Sequence, residues 1–142
     1  MLLRKATSAD FKKIKALLQL ANLVLEGIEQ TNFWVLFDEE NLIATAGLEI
    51  YGQTALLRSV AVVSSRHGEG KGGLIVQKVL ADATSLGIEE IILLTETAEN
   101  FFMQFGFTKI TRADVPNQLK ASVEFQGACP ESAFVMRFVY QP

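Results

Sequence analysis

A glycine-rich segment between an apolar run and a helical pattern constrains the fold of this chain more than any other feature. Residues 64–73 read SSRHGEGKGG, in which four of the last six residues are glycine. The apolar run LLRSVAVV (56–63) precedes it, and LIVQKVLADATSLG (74–87), with helical spacing, follows it. Each glycine at the start of a helix costs about 0.5–1 kcal/mol relative to alanine. The pattern therefore predicts a strand–loop–helix unit in which a backbone without side chains serves a function.

The function we expect is anion binding, because the first N–H groups of a helix have no acceptor inside the helix. Without Cβ atoms, an anion approaches several of these donors at once, and the helix dipole adds about 0.3–1 kcal/mol per favourable charge. Arg66, His67 and Lys71 add positive charge, whereas Glu69 opposes it unless its side chain points away. The segment predicts a phosphate or pyrophosphate site, and the alternative is a sharp surface turn.

The rest of the chain predicts an α/β fold, a mixed and mostly antiparallel sheet of six or seven strands flanked by helices. The expected order is β-α-(α)-β-β-β-α-β-α-β-β, with residues 22–30 ambiguous between a short helix and an irregular connection. Two hairpin signals surround the turns DEEN (38–41) and YGQT (51–54). IEEIILLT (88–95) is typical of a strand covered on both faces. A mostly polar connection with a short helix near Gln118 precedes the last strand, SAFVMRFVY.

Length and composition exclude several classes of protein. With 142 residues, a single domain over 1–142 is expected. The net charge of −3 argues against nucleic acid or an anionic membrane as a partner, and the apolar runs are too short to cross a membrane. The single cysteine, Cys129, and the lack of a secretion signal favour a cytoplasmic location. The open edges expected of a small sheet make a homodimer reasonable.

Two nucleotide ligands fit the loop poorly. GEGKGG satisfies the dinucleotide pattern G-x-G-x-x-G, and Glu96 ends the next apolar run, where a ribose-binding acid would lie. However, residues 64–67 separate the strand from the first glycine, and too few residues follow Glu96 for the second half of such a sheet. A P-loop fits worse, because Gly72 follows Lys71 where serine or threonine is needed.

Two motifs, in order and correctly spaced, point to a third ligand. HGEGKG (67–72) is similar to [Arg/Gln]-x-x-Gly-x-[Gly/Ala], with His67 where arginine or glutamine is usual, and AENFFMQFGF (98–107) matches A-x-x-F-F-x-x-x-G-F. Through these motifs the chain resembles the GCN5-related N-acetyltransferase (GNAT) superfamily over nearly its whole length. LLRSVAV, LLTETAENFFMQFGF and EFQGACPESAFVM look closest to its arsenic-resistance members, and are also similar to the domain that acetylates glutamate.

The resemblance implies an N-acetyltransferase that moves the acetyl group of acetyl-CoA to the amine of a small molecule by direct attack in a ternary complex. An amino acid or an organoarsenical amine is plausible by resemblance alone. In the family, the strand before the loop splays from its neighbour, and its backbone holds the pantetheine arm. The implied acetyl-CoA site comprises Val60, Ala61, Val62, His67, Gly68, Glu69, Gly70, Lys71, Gly72, Gly73, Thr95 and Phe102. No metal is expected.

Two departures from the family leave the chemistry open. Phe102 stands where a tyrosine commonly protonates the leaving thiolate, and Thr95 replaces an asparagine that often contacts pantetheine. The alternatives are that Tyr51 or a bound water supplies the proton, or that the thiolate leaves without being protonated. The substitution at Phe102 also motivates a second hypothesis, a catalytically silent acyl-CoA sensor.

Arg58 is the most informative charge of the chain. Alternation along 56–63 predicts that Arg58 shares a face with Leu56, Val60 and Val62. If residues 52–53 form a two-residue turn, Glu49 lies diagonal to Arg58. Two interpretations stay open. Arg58 and Glu49 form a structural ion pair, or Arg58 binds a substrate carboxylate or other oxyanion while Glu49 accepts the amine proton directly or through water.

The candidate residues for chemistry are therefore few. Glu49 and Tyr51 are the catalytic candidates, and Arg58, Arg112 and Ser132 are the substrate-binding ones. Four side chains lie in the long segment before the last strand, and each is more typical of solvated surface: Arg112, Lys120, Glu124 and Ser132. His67, the sole histidine, belongs to the loop, which argues against a Ser–His or Cys–His nucleophile and against a metal site.

Overall fold

The computed structural model of the chain describes residues 1–141, which form one seven-stranded sheet in the order β1-β2-β3-β4-β5-β7-β6. The strands are β1 (Leu2–Lys5), β2 (Asn32–Asp38), β3 (Asn41–Tyr51), β4 (Thr54–Val62), β5 (Glu90–Thr95), β6 (Thr108–Ile110) and β7 (Phe134–Val139). The helices are α1 (Phe11–Leu20), α2 (Lys71–Ala83) and α3 (Glu99–Met103). Only β4 and β5 pair in parallel, so the predicted mixed, mostly antiparallel sheet is confirmed.

Helices cover the sheet on both faces. On one face, α1 packs Ile14, Leu17 and Leu18 against alternate residues of β2. On the other, α2 and α3 cover a larger cluster around Trp34, and the middle of β5 is buried on both faces as its continuous apolar run predicts. The ambiguous stretch 22–30 is irregular and ends in a 3-10 turn at Ile28–Gln30.

The long connection between β6 and β7 covers one end of the sheet with short turns. Two 3-10 turns, Arg112–Asp114 and Asn117–Ala121, are followed by a wider turn at Glu124–Ala128. Val115 and Leu119 anchor this connection on a small apolar cluster with Leu56, Ile92 and Val135. The predicted helix near Gln118 is thus a single 3-10 turn.

A β-bulge in β4 makes one prediction wrong. Gly47 pairs with Arg58 and Thr45 with Ala61, so the register shifts at Ser59, which has a φ of +58°. The extra residue reverses the alternation of the strand. Val60 and Val62 consequently pack in the α2 cluster, and Arg58 does not share their face but lies on that of Leu56.

The two parallel strands separate beyond the bulge. β4 and β5 pair only from Thr54–Leu57 to Glu90–Leu93, so the second half of β4 has no ladder partner on that side. The opening leads to the N-terminus of α2. Within residues 1–141, no helix combines the length and apolarity that crossing a bilayer requires.

Candidate functional site

A cavity of about 890 Å³ fills the opening between β4 and β5. Residues 57–62 of β4 and residues 93–98 at the end of β5 form its sides, and the glycine-rich loop and α3 close one end. The α1–β2 connection (22–24) and parts of the β6–β7 connection lie across the other side. One cavity thus joins the predicted anion loop to the part of β4 that contains Arg58.

The loop presents backbone donors to this cavity. Gly68 and Gly70 have φ of +84° and +78°, a conformation that a side chain strains, although a Cβ at either would meet nothing within 4 Å. Within residues 1–141, no hydrogen-bond acceptor is recorded for the backbone N–H groups of residues 68–73. Their donors are free at a helix N-terminus, which is the arrangement that binds phosphate groups.

Ion pairs orient the charged side chains of the loop. Arg66 donates to Asp38 Oδ2 at 2.9 Å and to Glu69 Oε1 at 2.8 Å. Glu69 is therefore held by Arg66 and is absent from the cavity wall, to which Arg66, His67 and Lys71 contribute. His67 Nε2–H donates to the carbonyl of Val62 at 2.8 Å and ties the loop to the end of β4. Asp38 and Glu69 thus offset the charge of Arg66, and Lys71 is the lysine of the loop on the cavity wall, without an ion pair among residues 1–141.

The other predicted cofactor positions also line the cavity. Val60, Ala61 and Val62 lie in the part of β4 that has no ladder partner on the β5 side. Thr95 Oγ1 accepts the N–H of Ala98 at 3.0 Å and thereby supports the start of α3. Phe102 is buried against Phe101 and supplies an apolar wall that cannot donate a proton.

A buried polar cluster lies at the bulge of β4. Arg58 donates to Glu49 Oε2 at 2.6 Å, to the carbonyl of Val24 at 3.1 Å and to Ser59 Oγ at 3.1 Å. The side chain of Arg58 is 0% exposed, so the predicted Glu49–Arg58 contact exists as a buried ion pair. A Cβ at Gly27 would lie 2.9 Å from Arg58 Nη1, so the α1–β2 connection approaches the guanidinium closely.

Glu49 and Tyr51 lie behind Arg58 and are absent from the cavity wall. The hydroxyl of Tyr51 donates to Glu49 Oε1 at 2.5 Å. Burial, with the charge of Glu49, raises the pKa of Tyr51 to about 12. Tyr51 therefore keeps its proton at neutral pH and directs it at Glu49.

Glu124 is buried, so the expectation that it is solvated surface is wrong. Glu124 lines the cavity, and its Oε1 accepts the thiol hydrogen of Cys129 at 3.3 Å. Burial raises the pKa of Glu124 and raises that of Cys129 to about 12. The polar composition of this connection predicts exposure, and no local signal shows that tertiary packing folds it over the end of β4.

Arg112 and Ser132 are absent from the cavity wall. Arg112 donates to the carbonyls of Pro130 and Glu131 at 3.1 and 3.2 Å, so it clasps the chain that covers the cavity. Ser132 is exposed, as is Lys120. Among residues 1–141, no three histidine, cysteine or acidic side chains converge as metal ligands.

The sequence of the cavity-forming region decides the family. A family model for the acetyltransferase (GNAT) domain matches residues 29–109, more than half of the chain. The chain belongs to the GNAT acetyltransferase family. The family predicted from the two motifs is thereby confirmed, and the arsenic-resistance subgroup stays a prediction.

Known proteins similar to this GNAT domain include acetyltransferases of amino acids. The amino-acid acetyltransferase of Pasteurella multocida is 27% identical over 135 residues, which cover 87% of this chain and 31% of that protein. The chain thus spans about a third of the length of this curated relative.

Solved structures share the fold. Rv2747 from Mycobacterium tuberculosis, in complex with CoA and NLQ, superposes with a TM-score of 0.80 at 22% identity, covering 99% of this chain and 100% of that one. N-acetylglutamate synthase from Neisseria gonorrhoeae, complexed with coenzyme A and N-acetyl-glutamate, gives 0.81 at 18% identity, covering 100% and 36%. At these identities the likeness establishes the fold.

Proposed function

We propose that this GNAT domain transfers the acetyl group of acetyl-CoA to the amine of a small acceptor molecule. The observation that carries the proposal is the continuity of one cavity between the free N–H groups of residues 68–73 and the part of β4 without a ladder partner on the β5 side. A diphosphate at the loop and an extended amide-containing arm along β4 fit these two surfaces. Acetyl-CoA combines both groups with a thioester.

Each surface has a definite part in holding acetyl-CoA. The loop N–H groups, with Arg66 and Lys71 at the rim, match the negative charge of a diphosphate. The backbone of residues 60–62 has no ladder partner on the β5 side, and apart from the carbonyl of Val62, which His67 already bonds, its polar groups on that side suit the amides of pantetheine. Phe101 and Phe102 give an apolar wall where water is excluded. When bound, acetyl-CoA supplies an activated acyl group.

An amino acid or an amino-acid-like amine is the proposed acceptor. Two names support this class: the Pasteurella relative is called an amino-acid acetyltransferase, and the gonococcal structure contains N-acetyl-glutamate. The resemblance to arsenic-resistance members adds organoarsenical amines. Arg58, Arg112 and Ser132 remain proposed acceptor-binding residues, although the last two lie off the cavity wall. Glu49 and Tyr51 remain proposed for catalysis, but from behind Arg58 they act on an acceptor only through that arginine. Because Arg58 is fully buried, it reaches a carboxylate only by exchanging one of its present partners.

Ligand-dependent melting temperatures followed by a turnover assay test the proposal. Acetyl-CoA and CoA are expected to raise the melting temperature, and NAD is not, because NAD shares the diphosphate but has no pantetheine arm to lie along residues 60–62 of β4. Release of the CoA thiol is then followed with each of the twenty L-amino acids and with an organoarsenical amine. Stabilisation by NAD alone would assign the loop to a dinucleotide instead.

A second candidate function, an acyl-CoA sensor, follows from Phe102. This residue places an apolar ring where the family commonly has the thiolate acid. Stabilisation by acetyl-CoA without thiol release across the whole amine panel is the result that would favour a sensor. A cytoplasmic location and a homodimer remain predictions.

A further inference from the structure

The side of the cavity formed by Arg58, Glu124 and Cys129, here called the acceptor side, contains more buried negative than positive charge. One guanidinium, that of Arg58, faces two carboxylates, those of Glu49 and Glu124. Glu49 takes the ion pair at 2.6 Å, and within residues 1–141 no salt bridge is recorded for Glu124. A buried carboxylate without a cation is unfavourable. The cluster is therefore one positive charge short.

Glu124 is held at its backbone by one neighbour and at its carboxylate by another. Its backbone N–H donates to Ser122 Oγ at 3.2 Å, and its Oε1 accepts the Cys129 thiol at 3.3 Å. Since burial raises the pKa of Cys129 to about 12, this thiol stays a donor through the neutral range. The second oxygen, Oε2, has no hydrogen-bond partner among residues 1–141 and is not fully enclosed. Glu124 thus offers one free oxygen to the cavity.

The charges around the cavity determine which ligand group this oxygen attracts. Arg66 and Lys71 belong to the glycine-rich loop, whereas Arg58, Glu49 and Glu96 are the titratable groups outside the Glu124–Cys129 pair that act on it. Of these, only Arg58 is cationic, and Glu49 already neutralises it. A ligand cation completes this set. An acceptor amine is such a cation at neutral pH, because its nitrogen is protonated.

We propose that Glu124 binds the ammonium group of the acceptor and removes one of its protons, which makes the amine nucleophilic. The inference rests on the proposed acetyltransferase function. The freed nitrogen forms a bond to the acetyl carbonyl carbon, and the C–S bond of the thioester breaks. The nitrogen's surplus proton goes to the departing sulfur by way of water, and Glu124 returns its proton to solvent. The products are an N-acetylated amine and CoA with a free thiol.

This assignment replaces Glu49 in the role of base. Both oxygens of Glu49 are occupied, Oε1 by Tyr51 and Oε2 by Arg58. Glu49 is also absent from the cavity wall, whereas Glu124 forms part of it. The cavity therefore gives an acceptor direct access to Glu124 and none to Glu49.

The experiment compares wild type, Glu124→Gln and a matched control, Glu26→Gln, which changes an exposed carboxylate outside the cavity. Acetyl-CoA affinity is measured by calorimetry, and kcat/KM is measured by thiol release from pH 6 to 9.5 with the amino acid turned over fastest by wild type. For Glu124→Gln, kcat/KM at pH 7 is expected to fall about 100-fold, and the loss to shrink as rising pH deprotonates the amine. Acetyl-CoA affinity is expected to stay within about twofold, and Glu26→Gln to behave as wild type.

The other outcomes are distinguishable. A loss in Glu124→Gln that is equal at every pH, or activity close to wild type, overturns the role of Glu124 and leaves the acetyltransferase standing. Acetyl-CoA binding without turnover by wild type overturns the proposed function, and this inference with it. If Glu124→Gln does not fold, Glu124→Asp is measured instead. Aspartate keeps the negative charge but places it one methylene group further from the acceptor. A lowered kcat/KM with unchanged acetyl-CoA affinity therefore supports the proposal, and an unchanged kcat/KM overturns it.

Discussion

Arg58 and Glu49 form an ion pair of 2.6 Å in which the arginine side chain is 0% and the glutamate side chain 9% exposed. The pair joins β4 to β3, and a further bond from Arg58 to the carbonyl of Val24 attaches the α1–β2 connection. This connection and β4 both line the cavity. The pair therefore fixes the cavity walls as well as stabilising the sheet.

Removal of one partner of this pair is expected to destabilise the protein strongly. Arg58→Met leaves a buried carboxylate without its cation, so the free energy of unfolding should fall by about 3–5 kcal/mol. Glu49→Gln should also be destabilising, because Arg58 loses its counter-charge. In the double variant the two losses should not add, and urea denaturation should give a coupling of about 1–3 kcal/mol. Additive losses would show that the two groups are not coupled.

A side chain at Gly70 should weaken acetyl-CoA binding more than it weakens the fold. Gly70 has a φ of +78° at the start of α2, and Gly87 has a φ of +80° after the 3-10 turn Thr84–Leu86 that follows α2; a Cβ at either meets nothing within 4 Å. Gly70→Ala and Gly87→Ala therefore carry a similar backbone strain of about 1–2 kcal/mol. Only Gly70→Ala is expected to lower acetyl-CoA affinity, by about tenfold, because only its N–H region contacts the proposed diphosphate. Calorimetry and urea denaturation of both variants measure the two effects. Equal affinities would argue against the loop as the diphosphate site.

Neutralisation of Glu69 should strengthen acetyl-CoA binding. Glu69 offsets the charge of Arg66, which lines the cavity and is also paired with Asp38. For Glu69→Gln, the dissociation constant of acetyl-CoA should fall about twofold to fivefold at low ionic strength, since an exposed charge acts weakly. The gain should shrink in about 0.5 M salt, where screening is strong.

The control is Glu29→Gln, which removes the same charge from another exposed position and should have no effect on acetyl-CoA binding. Weaker binding by Glu69→Gln would indicate that Glu69 itself holds the ligand.

The sequence predicts the strand–loop–helix unit well because its signals are local. Glycines next to an apolar run restrict the backbone whatever the rest of the chain does, and the turn at Gly52 and Gln53 sets the register that places Glu49 opposite Leu56. The bulge at Ser59 escapes prediction, because a non-glycine residue with a φ of +58° has no local signature. That single residue reverses the faces of Val60 and Val62.

The acceptor side of the site depends on tertiary packing and so is less predictable. Glu124 and Cys129 lie in a polar connection that reads as surface, yet packing of Leu119 on β4 and β5 carries it over the cavity. Asn22, Leu23 and Val24 also line the cavity although no motif marks them. A polar sequence is compatible with a connection exposed to solvent and with one that covers a cavity, because in both cases the polar side chains contact water or a ligand.

The ion pair that precedes α1 should control stability in acid. Arg4 donates two hydrogen bonds to Asp10, and chiefly for this reason the pKa of Asp10 falls from 3.8 to about 2. A carboxyl group whose pKa is lower in the folded state stabilises the fold above its unfolded pKa, and this contribution is lost as the pH falls towards 2. Asp10→Asn should therefore be less stable than wild type at pH 7, and its free energy of unfolding should fall less steeply between pH 4 and 2.

The matched control for this prediction is Asp114→Asn. Asp114 accepts the N–H of Thr111 at 3.3 Å in the same capping arrangement that Asp10 forms with Thr7, but no ion pair is recorded for it within residues 1–141. Because Asp114 has no arginine partner like Arg4 among residues 1–141, the Asp114→Asn variant should keep the acid dependence of wild type. Urea denaturation at pH 2, 3, 4 and 7 measures all three proteins. If Asp10→Asn retains the full acid dependence as well, other carboxylates set it, and the Arg4–Asp10 pair serves only to position the start of α1.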